Sequence, residues 1–395
     1  MSSIPILPLA IRRHAAARPL ALAIRDPAGD LSFGELDRAA DAAAAALQAF
    51  GVAPGDRVAL LAAPSGEAIA LLAGIVRCGA VAVPLGTRLT RREIADALEE
   101  TTPILLLHDA DLADVVGGHG MPALVPAALL AQAPGAPPRS LDLDPEAPVV
   151  AVLTSGTTGR PKAALLSHRA LAASAAAWTA VLPPATGWLL CLGLAHVAGL
   201  GVAWRALGAG LPLHVVPGFE PEAVLAALRG SDAPSHCSVV PLQLARLLEA
   251  AAEGAGQAVR GAAGQAVRGA AGQAARGVAG DAAPPTALRA VLLGGAPIPP
   301  DLVRRATSAG WPVIPTYGLT EAGSGVTALP AHEAAAVPDS AGRPLPGVAV
   351  RIAEPGADGV GEIEARTTAV FSGYLGREVA TAAAFTADGW LRTGD

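Results

Sequence analysis

Residues 149–162 of the chain read VVAVLTSGTTGRPK, an apolar, strand-like run followed by a loop of glycine and hydroxyl residues that ends at a lysine. Gly156 and Gly159 let the backbone approach an anion without a Cβ in the way. The hydroxyl side chains add hydrogen-bond donors, and Lys162 adds a positive charge. The stretch therefore predicts a phosphate-binding loop directly after a buried strand.

The spacing of this loop separates it from the Walker motif, in which Lys and Ser or Thr follow the second glycine at once. Here Arg160 and Pro161 stand between Gly159 and Lys162. A different class of nucleotide site is indicated. For the loop taken alone, a polar surface turn is the alternative, because clusters of Ser, Thr and Gly are common in turns.

The rest of the chain alternates helix-like and strand-like segments. Two capping-box pairs predict helix starts, namely Ser32 with Glu35 and Thr90 with Glu93. Three strand-like segments are continuously apolar, namely 57–62, 80–85 and 103–109. Strands of this kind are covered on both faces, which is typical of mostly parallel sheets with helices on each side. We expect an α/β fold with layered sheets.

The same patterns predict how the chain is divided. We expect sub-domains at about 1–150 and 151–330, followed by a β-rich part at about 331–395. Residues 117–145 are rich in Pro, Gly and Ala and are predicted to form an irregular connection. The direct repeat at 256–280 has two glycines per repeat and is predicted to be a flexible surface insertion rather than an arginine-lined interaction stripe.

Composition excludes several classes of function. The chain has 395 residues and a net charge of −6 with no Lys/Arg-rich run, which argues against a nucleic-acid partner. Alanine supplies much of its apolar content, and no apolar run reaches the roughly 18 residues of a membrane span. Its three cysteines, Cys78, Cys191 and Cys237, have no metal-ligand spacing. With no secretory signal at the N-terminus, we expect a cytoplasmic protein.

Two further patches could line a small-molecule site. Residues 194–200 read LAHVAGL, a turn that contains His196. Taken alone, His196 is either a buried core histidine or a residue that contacts a ligand. An apolar run further on ends in Gly294, Gly295 and Ala296, where a flat ring could lie against exposed backbone.

Two more patches carry polar chemistry. Residues 315–321 read PTYGLTE and contain an aromatic ring at Tyr317, a hydroxyl at Thr320 and a carboxylate at Glu321. These groups suit base stacking, a phosphate contact and Mg²⁺ binding. The alternative for Glu321 is a helix-start carboxylate that interacts with the helix dipole. The last patch, GWLRTGD, ends at Asp395, whose carboxylate can accept hydrogen bonds from two ribose hydroxyls.

These motifs resemble those of the adenylate-forming superfamily, which comprises acyl-CoA synthetases, luciferases and nonribosomal-peptide adenylation domains. The phosphate loop, the YGLTE segment and the WLRTGD segment stand in the order of that superfamily, and the resemblance covers the whole chain. Within it, residues 78–90 and 196–246 are most similar to o-succinylbenzoate-CoA ligases of menaquinone biosynthesis. The fold implied is the large N-terminal domain of these enzymes.

The resemblance implies a two-step reaction with ATP, Mg²⁺ and CoA. A small-molecule carboxylic acid attacks the α-phosphorus of ATP, which yields an acyl-adenylate and pyrophosphate. The CoA thiol then displaces AMP. Catalysis of this kind depends mainly on positioning and electrostatic stabilisation of the phosphate oxygens.

The resemblance also assigns roles to residues of this chain. The phosphate contacts are Thr154, Ser155, Gly156, Thr157, Thr158, Gly159, Lys162 and Thr320. The adenosine contacts are Tyr317, Gly318, Gly294, Gly295, Ala296 and Asp395. The expected catalytic residues are Lys162, Thr320, Glu321 and His196, with Glu321 as the Mg²⁺ ligand. The acyl group is expected to contact His196, Ala198, Gly199 and Arg246.

Three features depart from the family pattern. Ala198 stands where the o-succinylbenzoate group usually has serine, and Ala163 stands where the superfamily usually has glycine. Arg246 does not depart from the pattern and is either the partner of a second substrate carboxylate or a solvated helix arginine.

The third departure is length. Relatives continue for a small C-terminal domain, so we expect this chain to be the N-terminal domain alone, to adenylate slowly and to make little or no thioester. A homodimer is a superfamily expectation.

Two other functions remain open. An adenylation domain that loads an amino or aryl acid onto a carrier protein is the alternative within the superfamily. Such domains generally place an aspartate near the substrate ammonium, and residues 192–205 contain no acidic residue. The other alternative is a truncated, non-catalytic nucleotide-binding module.

Overall fold

The computed structural model describes residues 7–118, 120–133, 135, 137–154, 161–266 and 283–395, and for residues 254–266 it describes the backbone alone. Its helices are α1 Leu7–Ala17, α2 Phe33–Phe50, α3 Gly66–Arg77, α4 Arg91–Thr101, α5 Ala113–Val116, α6 Pro126–Leu130, α7 His168–Val181, α8 Val197–Gly208, α9 Pro221–Arg229, α10 Pro241–Ala266, α11 Pro300–Ser308 and α12 Glu378–Ala383. Two 3-10 helices span Ala110–Leu112 and Thr320–Ala322.

The strands are short and distributed along the whole chain. They are β1 Leu22–Arg25, β2 Leu31–Ser32, β3 Arg57–Leu61, β4 Val81–Leu85, β5 Leu105–His108, β6 Ala123–Leu124, β7 Pro148–Thr154, β8 Lys162–Ser167, β9 Trp188–Leu190, β10 Leu213–Val215, β11 His236–Val239, β12 Ala290–Leu293, β13 Val313–Tyr317, β14 Thr327–Ala328, β15 Arg343–Pro344, β16 Val348–Ala353, β17 Glu362–Thr367, β18 Gly373–Tyr374 and β19 Leu391–Arg392.

Two large sheets organise these strands. The first has nine strands in the order β15-β14-β13-β12-β11-β9-β10-β1-β2 and is parallel from β13 to β1. The second has seven strands in the order β18-β8-β7-β4-β3-β5-β6 and is parallel from β7 to β6. A separate antiparallel sheet, β16-β17-β19, lies within the predicted β-rich part.

Alternate residues of a strand pack into different cores, because successive side chains point to opposite faces of a sheet. Val58 of β3 packs in a core that also contains Ile24 of β1 and residues of α2 and α3, so this core joins the two large sheets. Its neighbour Ala59 packs on the other face with Ile94 of α4. A third core covers the outer face of the nine-stranded sheet with α9, α10 and α11. The predicted layered α/β arrangement is confirmed.

The predicted helix starts are also confirmed, because both capping boxes are formed. Ser32 caps α2 with Glu35, and Thr90 caps α4 with Glu93. Within the shared core, α2 and α3 lie in close contact. A Cβ added at Gly74 of α3 would lie 2.6 Å from the Cβ of Ala43 of α2. Small residues at this contact let the two helices approach closely.

Other parts of the chain differ from the predictions. The connection 117–145 is not wholly irregular, since it contains β6 and α6. The boundary near residue 150 falls inside β7, while β1 and β2 join the nine-stranded sheet. In the 256–280 repeat, α10 continues to Ala266 despite its glycines, and the rest of the repeat lies outside the described residues. Within the described chain, none of the helices is long and apolar enough to span a membrane.

Candidate active site

The predicted phosphate loop joins two neighbouring strands of the seven-stranded sheet. Thr154, the last residue of β7, pairs with Lys162, the first residue of β8. The Thr154 Oγ1 atom donates a hydrogen bond of 3.3 Å to the Lys162 carbonyl. The predicted contacts Ser155, Gly156, Thr157, Thr158 and Gly159 lie outside the described residues. Both described ends of the loop are therefore fixed by strand pairing.

The predicted adenine-binding segments lie side by side because β12 and β13 are parallel neighbours. Thr316 Oγ1 donates a hydrogen bond of 3.0 Å to the Leu293 carbonyl. A Cβ at Gly294 would lie 2.3 Å from Thr316 Oγ1, and one at Gly318 would lie 1.7 Å from the Ser324 carbonyl oxygen. Only glycine fits at these two positions, because the neighbouring chain approaches too closely for a side chain.

A cavity of about 420 Å³ opens beside these segments, and Gly295, Ala296, Tyr317, Gly318 and Asp395 line it. Tyr317 Oη donates a hydrogen bond of 2.6 Å to Asp395 Oδ2. Burial and this hydrogen bond raise the pKa of the Tyr317 phenol, so it stays a donor. The cavity combines an aromatic ring, exposed glycine backbone and a carboxylate, which are groups that can hold a nucleoside.

The Thr320–Ala322 turn leads into this region from β13. Gly323 ends the turn in the left-handed conformation with a φ of 66°. Its carbonyl accepts a hydrogen bond of 2.6 Å from the buried Ser174 of α7. The turn is thereby anchored to α7, the helix that follows β8. Thr320 itself lines a second cavity, which adjoins the one beside Tyr317.

Glu321 is the predicted metal ligand, and its carboxylate has a defined partner. Tyr374 Oη donates a hydrogen bond of 2.8 Å to Glu321 Oε1. No group of three or more His, Cys, Asp or Glu side chains that could hold a metal occurs in the described part of the chain. Mg²⁺ commonly binds through one or two carboxylates plus substrate phosphates. A single glutamate therefore fits Mg²⁺ that is bound together with a nucleotide.

A second cavity of about 540 Å³ brings the acyl and nucleotide candidates together. It is lined by His196 and Ala198 of the acyl set and by Gly294, Gly318 and Thr320 of the nucleotide set. His196 directly precedes α8 and also lines a third cavity of about 490 Å³, which Thr154 borders. The imidazole therefore stands between two cavities.

The other two acyl candidates have different positions. Gly199 is buried, and a Cβ there would lie 2.4 Å from the Gly193 carbonyl oxygen, so it shapes the turn and does not line the cavity. Arg246 is exposed on α10 and does not line the cavity either. The helix turns this side chain towards solvent, as the solvated alternative for Arg246 anticipated.

A different arginine, which the sequence analysis did not identify, lines the cavity of about 540 Å³. Arg205 of α8 is 4% exposed, and its guanidinium lies 4.6 Å from the ring centroid of Trp188 and 5.8 Å from that of Trp178. Burial lowers its pKa to about 9, so the group still carries its charge at neutral pH. The sequence did contain one indication of a buried arginine, because Arg205 is the one charged residue in the otherwise apolar helix VAGLGVAWRALG.

Three buried polar atoms at this end of the cavity lack partners. Arg205 Nε, Trp178 Nε1 and Ser238 Oγ make no hydrogen bond to any residue that the structure describes, and all three residues line the cavity. Buried polar groups are normally paired, because leaving one unpaired costs about 1–3 kcal/mol. The cavity that these three residues line therefore offers donors to an acceptor group of a ligand.

The family model of AMP-binding enzymes matches residues 11–375. The chain belongs to the AMP-binding enzyme family. Lys162 and Tyr317 lie within the matched range, whereas Asp395 lies beyond it.

Relatives of this AMP-binding enzyme include ligases for different acids. It is 30% identical to the 2-succinylbenzoate–CoA ligase of Bacillus cytotoxicus over 351 residues, which cover 86% of this chain and 65% of that protein. It is 33% identical to a feruloyl-CoA synthase of an Amycolatopsis species, over 97% of this chain and 74% of the other. The chain thus spans about two thirds to three quarters of these relatives.

A solved relative shows the same fold. The o-succinylbenzoate CoA synthetase of Bacillus subtilis, in complex with its acyl-adenylate intermediate, matches with a TM-score of 0.81 and 26% identity over 98% of this chain and 74% of that one. The same protein is known in complex with ATP and a magnesium ion. The match confirms the predicted fold, that of the N-terminal domain of acyl-CoA synthetases.

Proposed function

We propose that this AMP-binding enzyme activates a carboxylic acid with ATP and transfers the acyl group to CoA. Support comes from the cavity that His196, Gly294 and Thr320 line together, because an acid bound there would lie next to the α-phosphate of a nucleotide bound beside Tyr317. The substrate oxygen attacks the α-phosphorus, and pyrophosphate leaves. The CoA thiolate then attacks the acyl carbonyl carbon, and AMP leaves with the electron pair of the C–O bond.

The residues of the chain bind and orient the reactants in this proposal. Lys162 binds the outer phosphates, and Thr320 contacts the α-phosphate. Tyr317 stacks on the adenine, and Asp395 accepts hydrogen bonds from the ribose. Magnesium, when bound, neutralises phosphate charge, and Glu321 holds it. Such contacts act by positioning and by electrostatic stabilisation of the transition state.

The proposed substrate class rests on one observation, the buried Arg205 that lines this cavity, whose Nε makes no hydrogen bond to a described residue. A buried guanidinium is stabilised by hydrogen-bond acceptors that rings do not supply, and a carboxylate is its best acceptor. We propose that the substrate carries a second carboxylate, as 2-succinylbenzoate does. No acidic side chain lines this cavity among the described residues, which argues against an amino acid with a free ammonium group.

Two acids that differ by one group test this proposal. They are 2-succinylbenzoate and 4-oxo-4-phenylbutanoate, which lacks the ring carboxylate. ATP–pyrophosphate exchange is measured with each acid, and thioester formation is measured separately with CoA. We expect kcat/KM for the dicarboxylate to exceed that for the monocarboxylate by about 100-fold or more, since the buried donors are otherwise left unpaired.

The matched variants are Arg205→Met and Arg246→Met. We expect R205M to remove most of the preference for the dicarboxylate, and R246M to retain it because Arg246 is exposed. Exchange that depends on amino acids, or equal use of both test acids, would refute the proposed substrate class. A chain that neither binds ATP nor supports exchange with any carboxylic acid tested would refute the ligase assignment.

The proposed cellular setting follows from the same substrate. A 2-succinylbenzoate–CoA ligase would serve menaquinone biosynthesis in the cytoplasm. Cys78, Cys191 and Cys237 are free and buried, which fits a reducing compartment. Burial raises the pKa of the Cys78 and Cys191 thiols to about 12, so these groups are unreactive packing residues.

A further inference from the structure

Tyr374 contacts two predicted active-site residues from a part of the chain that no motif marked. It lies in β18, where it pairs with Ala164 of β8, two residues beyond Lys162. Its hydroxyl donates to Glu321 Oε1 at 2.8 Å, and Lys162 Nζ lies 5.0 Å from the centroid of its ring. One half-buried side chain therefore bridges the expected metal carboxylate and the phosphate-loop lysine.

The segment that carries Tyr374 is held on both sides. Before it, the Phe371 backbone N–H donates to the Glu321 carbonyl at 2.8 Å, and the Phe371 ring packs edge-on against Tyr374 with centroids 4.9 Å apart. After it, Arg377 Nε donates to Glu100 Oε1 at 2.8 Å. The hydroxyl therefore approaches Glu321 from a fixed direction.

The Tyr374 hydroxyl donates its hydrogen bond to a carboxylate. A hydrogen bond to a charged group contributes more than one between neutral groups. The bond commits one oxygen of Glu321 to Tyr374 and orients the carboxylate, and the electron-rich face of the ring attracts the Lys162 ammonium.

We propose that Tyr374 is a positioning residue for a metal-bound triphosphate, and this inference rests on the proposed function. Its hydroxyl orients Glu321 towards Mg²⁺, and its ring holds Lys162 near the phosphate loop. The first effect acts through the metal ion and the second acts directly on the phosphates, so the two can be measured separately.

Calorimetric titration separates them without relying on turnover. The dissociation constants of ATP with Mg²⁺, of ATP with EDTA and of AMP are measured for the wild type, Tyr374→Phe and Tyr374→Leu. We expect Y374F to weaken binding of ATP with Mg²⁺ by about 10-fold and to leave the other two constants within about twofold, because it loses only the hydroxyl. Y374L also loses the ring and should weaken metal-free ATP.

Thermal unfolding of each variant shows whether the fold is retained, and Tyr317→Phe is the matched control. We expect Y317F to change AMP binding and to keep the ratio between ATP affinities with and without Mg²⁺. The inference is wrong if Y374F binds ATP with Mg²⁺ as the wild type does, or if it weakens AMP to the same extent. Failure of the wild type to bind AMP or ATP would instead overturn the proposed function.

Discussion

Tyr317 and Asp395, 78 residues apart in the chain, are joined by a hydrogen bond of 2.6 Å between the phenol and the carboxylate. Tyr317 ends β13 of the nine-stranded sheet, and the backbone carbonyl of Asp395 accepts from Ile363 N–H of β17 at 3.0 Å. The bond thus connects the large sheet to the three-stranded sheet. It holds the expected adenine-stacking ring and the expected ribose-binding carboxylate in one arrangement.

The first prediction concerns these two residues. Asp395→Ala should weaken AMP binding by about 10-fold or more, since it removes the carboxylate that is expected to accept hydrogen bonds from the ribose. Tyr317→Phe keeps the aromatic face and should weaken AMP by only about threefold, through the lost anchor of the carboxylate. Calorimetric titration with AMP measures both. Unchanged AMP binding by D395A would contradict the assignment of this cavity to the nucleoside.

The second prediction compares two buried serines. Ser238 Oγ lacks a partner among the described residues, whereas Ser235 Oγ accepts from the Thr186 N–H at 2.9 Å and lies 2.8 Å from His236 Nδ1. Ser238→Ala should leave the free energy of unfolding within about 0.5 kcal/mol of the wild type, while Ser235→Ala should lower it by about 1–2 kcal/mol. Urea unfolding checks this difference.

For substrate binding we expect the opposite order, with the larger effect from the Ser238 substitution. S238A should raise KM for 2-succinylbenzoate severalfold, because Ser238 lines the acyl cavity and is free to donate to the substrate. S235A should change KM little. Equal KM values for S238A and the wild type would show that the free hydroxyl has no part in acid recognition.

The third prediction concerns stability in acid. Burial lowers the pKa of His168 to about 4, and both its ring nitrogens lack partners among the described residues. Below about pH 6.5 the unfolded chain binds a proton that the folded chain does not, so the free energy of unfolding falls as pH drops from about 6.5 to about 4. At pH 5 this residue should account for a loss of about 2 kcal/mol.

His168→Leu tests that source of acid sensitivity. The variant should lose less stability than the wild type between pH 7 and pH 5, as measured by urea unfolding at each pH. Some loss should remain, because burial also lowers the pKa of His236 to about 4. His332→Gln is the control, since His332 is exposed. An identical pH dependence in H168L and the wild type would exclude His168 as a cause.

The fourth prediction concerns the contact between α2 and α3. Gly74→Ala should lower the free energy of unfolding by about 1–3 kcal/mol, because the new methyl group would meet Ala43 and the backbone of α2. Gly117→Ala is a suitable control, since its φ is −65° and nothing lies within 4 Å of the added Cβ. Urea unfolding measures both, and equal stabilities of the two variants would contradict the tight contact.

Much of the architecture was predictable because it depends on local patterns. The capping pairs of Ser32 and Thr90 are each complete within four residues. A continuously apolar strand indicates burial on both faces of a sheet, whatever its place in the chain. The loop that ends at Lys162 was recognisable for the same reason, since its spacing alone distinguishes it from the Walker pattern. The order of the motifs was sufficient to predict the family.

The choice between Arg205 and Arg246 could not be made from local patterns. Both stand in helices, and which face of each helix meets the cavity depends on how α8 and α10 pack against the nine-stranded sheet. Likewise, the contact between Tyr374 and Glu321 depends on β18 pairing with β8 across more than two hundred residues. Local spacing therefore specified the elements and the predicted nucleotide motifs, whereas long-range strand pairing and helix packing decided that Arg205 lines the cavity and that Tyr374 contacts Glu321.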